Sequence, residues 1–150
     1  MLFTQAQARS VADVSAETLR HWRKAVPYLA AKSGKAARFS FADLIALAAT
    51  REAIGTLGLG IAEIGVGVDA LFHVFAEAPW SSLDGAIVML SATTAELHYA
   101  VGTSQMKLSG PTVLIPCGPL VQHLRDELLP SPERDFQHHL LFPPQSVKSA

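Results

Sequence analysis

Cysteine is almost missing from this chain. Cys117 stands alone, which excludes an internal disulfide, leaves no Cys-His zinc framework, and fits a reducing compartment. Charge is sparse as well. Asp, Glu, Lys and Arg make up 17% of the residues against 49% apolar ones, a balance that folds around a core instead of staying disordered. No long uninterrupted apolar run occurs: the most apolar stretch, Leu57 to Trp80, is broken by Glu63, Asp69, His73 and Glu77, so a membrane span is not expected. No Lys/Arg-headed apolar leader opens the sequence, and a cytoplasmic protein is the expectation. Catalytic signatures are missing too. There is no Ser/His/Asp pattern and no pair of catalytic carboxylates, and the glycines of "GTLGLG" do not follow a strand as a nucleotide loop would. The expectation is a protein that is not an enzyme and needs no cofactor.

What is present is an uneven distribution of positive charge. Residues 1–60 carry eight Lys and Arg against four Asp and Glu, whereas residues 61–150 carry four against nine. Such a split suggests a nucleic-acid-binding part followed by an acidic part. The basic residues concentrate in "VSAETLRHWRKAVPYL", residues 14–29, where Arg20, His21, Trp22, Arg23 and Lys24 are consecutive.

Capping residues divide this region into helices. Thr4 suits the N-cap of a helix over "QAQARSVA", and "DVS" interrupts the pattern. Ser15 suits the cap of a second helix, with Glu17 at its positive end, Leu19 and Trp22 inward, and Arg20, Arg23 and Lys24 outward until Pro27 stops it. Two short helices joined by a tight turn form a helix-turn-helix, whose second helix can enter a major groove. The following "PYLAAKSGKAARF" predicts a β-hairpin from "YLAA" to "AARF", with Lys32 and Lys35 at its tip and Arg38 on its return strand. Ser40 then caps a helix over "FADLIALAATREAIGTLG", which Gly58 and Gly60 stop.

Taken together, "ARSVADVSAETLRHW", the basic hairpin and "RFSFADLIALAATREAIGTLGLGIAEI" resemble the winged helix-turn-helix DNA-binding domain of the MerR superfamily, over residues 4 to about 66. The resemblance implies that Ser15, Thr18 and Arg20 lie at the head of a recognition helix. His21 and Trp22 stand where the family has an aromatic pair, His21 being a departure, and Arg38 matches the wing arginine that grips the DNA backbone. The chemistry of the side chains agrees. Arg20 can fork onto guanine to read bases, while Arg23, Lys24, Lys32, Lys35 and Arg38 are placed to meet phosphates. Trp22 reads better as a core anchor than as a DNA contact.

The fold class expected is α+β: a winged helix-turn-helix over residues 1–60, a linker helix over 61–79, and a small α+β module with an extended tail over 80–150. Ile61, Ile64, Val68, Leu71 and Phe75 are spaced like a short coiled-coil seam, which suits either pairing of two chains or packing within one; Gly65 and Gly67 weaken a free-standing helix. Beyond Pro79, "GAIVMLS", "AELHYAV" and "PTVLIP" lean to strand and "GPLVQHLRDELL" to helix. Cys117 precedes that helix, where the dipole would lower its pKa and suit a redox sensor; an inert buried thiol is the commoner case. His123, His138 and His139 with Glu133 and Asp135 supply metal-ligand types, but adjacent histidines on a helix do not face one side, and no cysteine lies near the linker helix where the family's metal sensors carry theirs. No metal site is expected.

The reading is a sequence-specific, nucleoid-associated transcription regulator that binds duplex DNA as a homodimer, with RNA polymerase or another protein as a partner for the C-terminal module. Two alternatives stay open: a phage-type DNA-packaging subunit (small-terminase-like) or excisionase, and a protein-interaction module whose basic half meets an acidic partner.

Overall fold

The computed structural model describes residues 1–99 and 106–129. The fold is α+β, with two small antiparallel sheets among its helices. The chain opens with strand β1 (Leu2–Thr4) and helix α1 (Gln5–Ala12). Thr4 caps α1 reciprocally with Gln7, its hydroxyl accepting from the Gln7 N–H while Gln7 Oε1 accepts from the Thr4 N–H. Asp13 ends the helix in the left-handed region at φ 54°, a conformation that Asp tolerates better than most residues. Buried Val14 and the cap Ser15 lead into helix α2 (Ala16–Ala25). Asp13 to Ser15 thus form a tight turn between the two helices.

Val26 ends α2, and Pro27 begins a further helical turn, α3 (Pro27–Ala30). The hairpin expected around "KSGK" does not form. "YLAA" is helical up to Ala30, because Pro27 at the first helical position presets the backbone and the alanines have little strand preference. The other half of the expected wing is a strand, β2 (Arg38–Ser40), but its partner is β1, with Phe3 opposite Phe39 and Thr4 opposite Arg38. Phe3 and Phe39 are both buried, so the pairing covers two large rings that a local hairpin would leave to solvent.

Helix α4 (Phe41–Gly55) follows, capped by Ser40, and is buried on eight consecutive residues from Asp43 to Thr50. It is the central rod of the fold. Helix α5 (Ile61–Glu77) packs against α2, α3, α4 and the second sheet, with Ile61, Ile64, Val68, Leu71 and Phe75 in the chain's own core. Of the two uses left open for this seam, the structure shows packing within the chain. The two glycines fit that use. A Cβ on Gly65 would lie 2.7 Å from the Ala25 carbonyl oxygen, and one on Gly67 would overlap the Ser91 carbonyl oxygen.

A 3-10 turn (Trp80–Gly85) leads to strands β3 (Ala86–Leu90), β4 (Ala95–Tyr99) and β5 (Val113–Pro116), then helix α6 (Cys117–Leu128). The sheet order is β4-β3-β5, antiparallel throughout, with Val88 paired to Leu97 on one side and Ile115 on the other. The three strands and the helix expected beyond Pro79 are therefore present. Buried residues from Phe3 to Leu124 belong to one contiguous cluster that spans both halves of the chain. The tail after Leu129, with Glu133, Asp135, His138 and His139, lies outside the described residues, as do Ala100 and Val101 at the end of the second expected strand.

Candidate nucleic-acid interface

Helix α2 is amphipathic in the strict sense that its two faces have different jobs. Leu19 and Trp22 are buried and fix the helix against the core, which makes Trp22 a structural anchor. At its start the Ser15 hydroxyl accepts from the Thr18 N–H at 3.0 Å and donates to the Thr18 hydroxyl at 2.8 Å. Arg20, His21 and Lys24 are exposed on the outer side. Arg20 is held only loosely by Glu17, 3.9 Å away, and its side chain is 74% exposed. A pair this open to water contributes little and leaves the guanidinium available. A shallow recess of about 570 Å³ runs along this face, bounded by Glu17, Thr18, Arg20, His21, Lys24 and Ile54.

The segment between α3 and β2 carries the second group of cations, and they divide. Lys35 is exposed. Arg38 is also exposed and curls back so that Nη1 donates to the carbonyls of Lys35 and Ala37, both at 3.0 Å. Lys32, expected at a wing tip, points inward instead. Its Nζ meets Asp43 Oδ2 at 2.6 Å and donates to the Arg38 carbonyl at 3.1 Å, 5.3 Å from the Tyr28 ring centre. The physical reason is Asp43, which is 1% exposed and would otherwise be a buried carboxylate without a counter-charge. The Tyr28 hydroxyl and the Ser40 N–H complete its shell at 2.7 and 2.8 Å. Burial first, and then this carboxylate, push the Tyr28 pKa above its ordinary value.

Arg23 is likewise withdrawn from the outer face where it was expected. Its Nη2 donates to Gln5 Oε1 and to the Lys32 carbonyl, each at 2.7 Å, so it ties α1, α2 and the loop after α3 together. Desolvation lowers its pKa, yet a guanidinium stays charged at any physiological pH. Of the nine residues expected to meet DNA, Ser15 caps α2, Thr18, Arg20, His21 and Lys24 lie on it, Lys35 and Arg38 lie on the loop and strand that follow α3, and Arg23 and Lys32 act as internal ties.

Two features were not read from the sequence. Arg51 on α4 donates to Asp13 at 2.8 Å and braces the turn between α1 and α2. Arg9 on α1 carries the one buried side-chain nitrogen, Nε, without a hydrogen-bond partner among the described residues. The surplus of cations in residues 1–60 was the available signal for both, but not their location.

Cys117 is fully buried at the first position of α6. Burial pushes its thiol up to about 11, partly offset by a hydrogen bond from the backbone of Val88. Desolvation thus outweighs the helix dipole at this thiol, which accords with the inert buried cysteine as the commoner case. Among the described residues no three His, Cys, Asp or Glu side chains gather where a metal ion would sit, and no helix is long and apolar enough to cross a membrane. Comparison of the chain with family models, curated proteins and solved structures finds no match.

Proposed function

We propose that this protein is a sequence-specific duplex-DNA-binding transcription regulator, using α2 as its reading helix. One observation carries the proposal: Arg20, His21 and Lys24 project together from the second helix of a helix-turn-helix whose opposite side, Leu19 and Trp22, is locked in the core. A major groove admits a single helix, and an arginine there can take both acceptors of a guanine. Lys35 and Arg38, exposed on the segment that follows α3, would serve as phosphate contacts. The resemblance of residues 4 to about 66 to MerR-type domains supports the same use.

Pairing into a twofold dimer belongs to the proposal, and it would use a surface other than the inner side of α5. Half-sites would then lie about 34–36 Å apart. The test is titration of labelled random duplex with the full chain, followed by anisotropy at two salt concentrations, and then mapping of bound genomic sites. Binding that weakens steeply with salt, together with a recurrent bound sequence, is the expected result. A chain that ignores duplex even at low salt would overturn it.

A further inference from the structure

A second concentration of charge lies away from the outer face of α2. The start of α1 and the turn at Gly34 enclose a recess of about 520 Å³, lined by Gln5, Ala6, Arg9, Arg23, Gly34 and Lys35. Three of these residues are cations, and among the described residues no carboxylate lines the recess. Arg9 is the informative one. Its Nε is buried without a partner among the described residues, while the side chain as a whole is only partly buried and lines the recess. Arg23, fixed by Gln5 and the Lys32 carbonyl, is a charge already held in place. The first-turn N–H groups of Gln5 and Ala6 have no acceptor within α1 and add the positive end of its dipole. Gly34, at φ +85°, turns the chain with open space where a side chain would stand, so Lys35 reaches the rim.

We propose that this recess binds a phosphate group through Arg9, Arg23 and Lys35. Resting on the DNA reading above, that group is a backbone phosphodiester beside the groove that α2 enters. Arg23 has Nε and Nη2 committed to Leu29, Gln5 and Lys32 and offers Nη1 and its charge; with the Arg9 guanidinium and the Lys35 ammonium, that suits an oxyanion with several acceptor oxygens. The recess is wide and open, which suits a strand passing over it more than a free ion enclosed by it.

The test compares the full-length chain with Arg9→Gln and Lys35→Gln in duplex titrations over a salt series, with Arg20→Gln as the contrast. Arg9→Gln and Lys35→Gln are expected to weaken binding about tenfold, alike on preferred and random duplex, and each to flatten the log–log salt slope, by about 0.9 at most for the one phosphate they share. Arg20→Gln should instead narrow the gap between preferred and random sequences. Lys35 is exposed with no side-chain bond to lose among the described residues, so its variant guards against a folding artefact at Arg9. If the unaltered chain binds duplex while both variants keep its affinity and slope, the phosphate site is overturned and the DNA reading stands. If the unaltered chain binds no duplex, the DNA reading fails, and titration with inorganic phosphate decides the recess alone. Saturable shifts of the Gln5 and Ala6 amide resonances, lost in Arg9→Gln, would support a site for a small phosphorylated ligand; no shifts would refute the site altogether.

Discussion

Lys32 and Arg20 are both basic residues in a basic stretch, and their surroundings separate them. Lys32 neutralises a carboxylate that is almost wholly buried, so Lys32→Met leaves Asp43 short of a partner and is expected to cost about 1–3 kcal/mol of stability in a denaturant titration. Arg20→Ala removes a side chain mostly in water. Its stability should be unchanged, while its preference for the bound sequence over random duplex falls by about 1–3 kcal/mol. Equal losses of Arg20→Ala on both duplexes would refute base reading. Cys117 makes a third prediction at this scale. Its native pKa is raised from 9.0 to about 11, so the unfolded chain gives up the thiol proton first as the solution turns alkaline. Stability from this group is complete below pH 9 and declines as pH rises toward about 11. Tyr28 is shifted the same way, so the measurement is the difference between wild type and Cys117→Ala across that window. A difference that does not change with pH would dispose of the burial argument.

Helices carry local instructions, and these were legible. Thr4, Ser15 and Ser40 were each readable as caps and each holds the expected N–H group, because a cap and its acceptor are three residues apart in the chain. The wing was misread for the opposite reason. The partner of Arg38–Ser40 is Leu2–Thr4, some 36 residues away, and nothing near "KSGK" announces a remote strand. The inward turn of Lys32 and Arg23 has the same origin, since Asp43 and Gln5 become neighbours only once the helices pack. Gly65 and Gly67 were legible as weak points in a helix but not as contact points. Their use is testable by contrast. Gly67→Ala forces α5 away from the Ser91 carbonyl and is expected to destabilise by about 1–3 kcal/mol. Gly55→Ala, at the end of α4 with nothing within 4 Å of the new carbon, should stabilise by about 0.4–1 kcal/mol in the same thermal melt. A neutral Gly67→Ala would mean that α5 does not approach the β3–β4 turn so closely.

Charge separates the two halves of the molecule, but packing joins them. Helix α6 lies against α1 and α4, and Leu124 and Val121 share one buried cluster with Leu44 and Trp22. The expected consequence is a single cooperative unfolding transition. Fluorescence from buried Trp22 and exposed Trp80 should follow the same denaturant curve as far-ultraviolet dichroism, whereas two separated transitions would show that the halves fold independently. The pairing of β1 with β2 also reaches into practice. Leu2 sits across from Ser40 and Thr4 across from Arg38, so β1 enters the pair at the end remote from the cationic loop and delivers Thr4 and the start of α1 beside that loop. An alteration that unpairs Leu2–Thr4 would release Arg38 and the loop before it, not only the strand. Binding assays on variants of this protein are therefore best accompanied by a check that β1 stays in place.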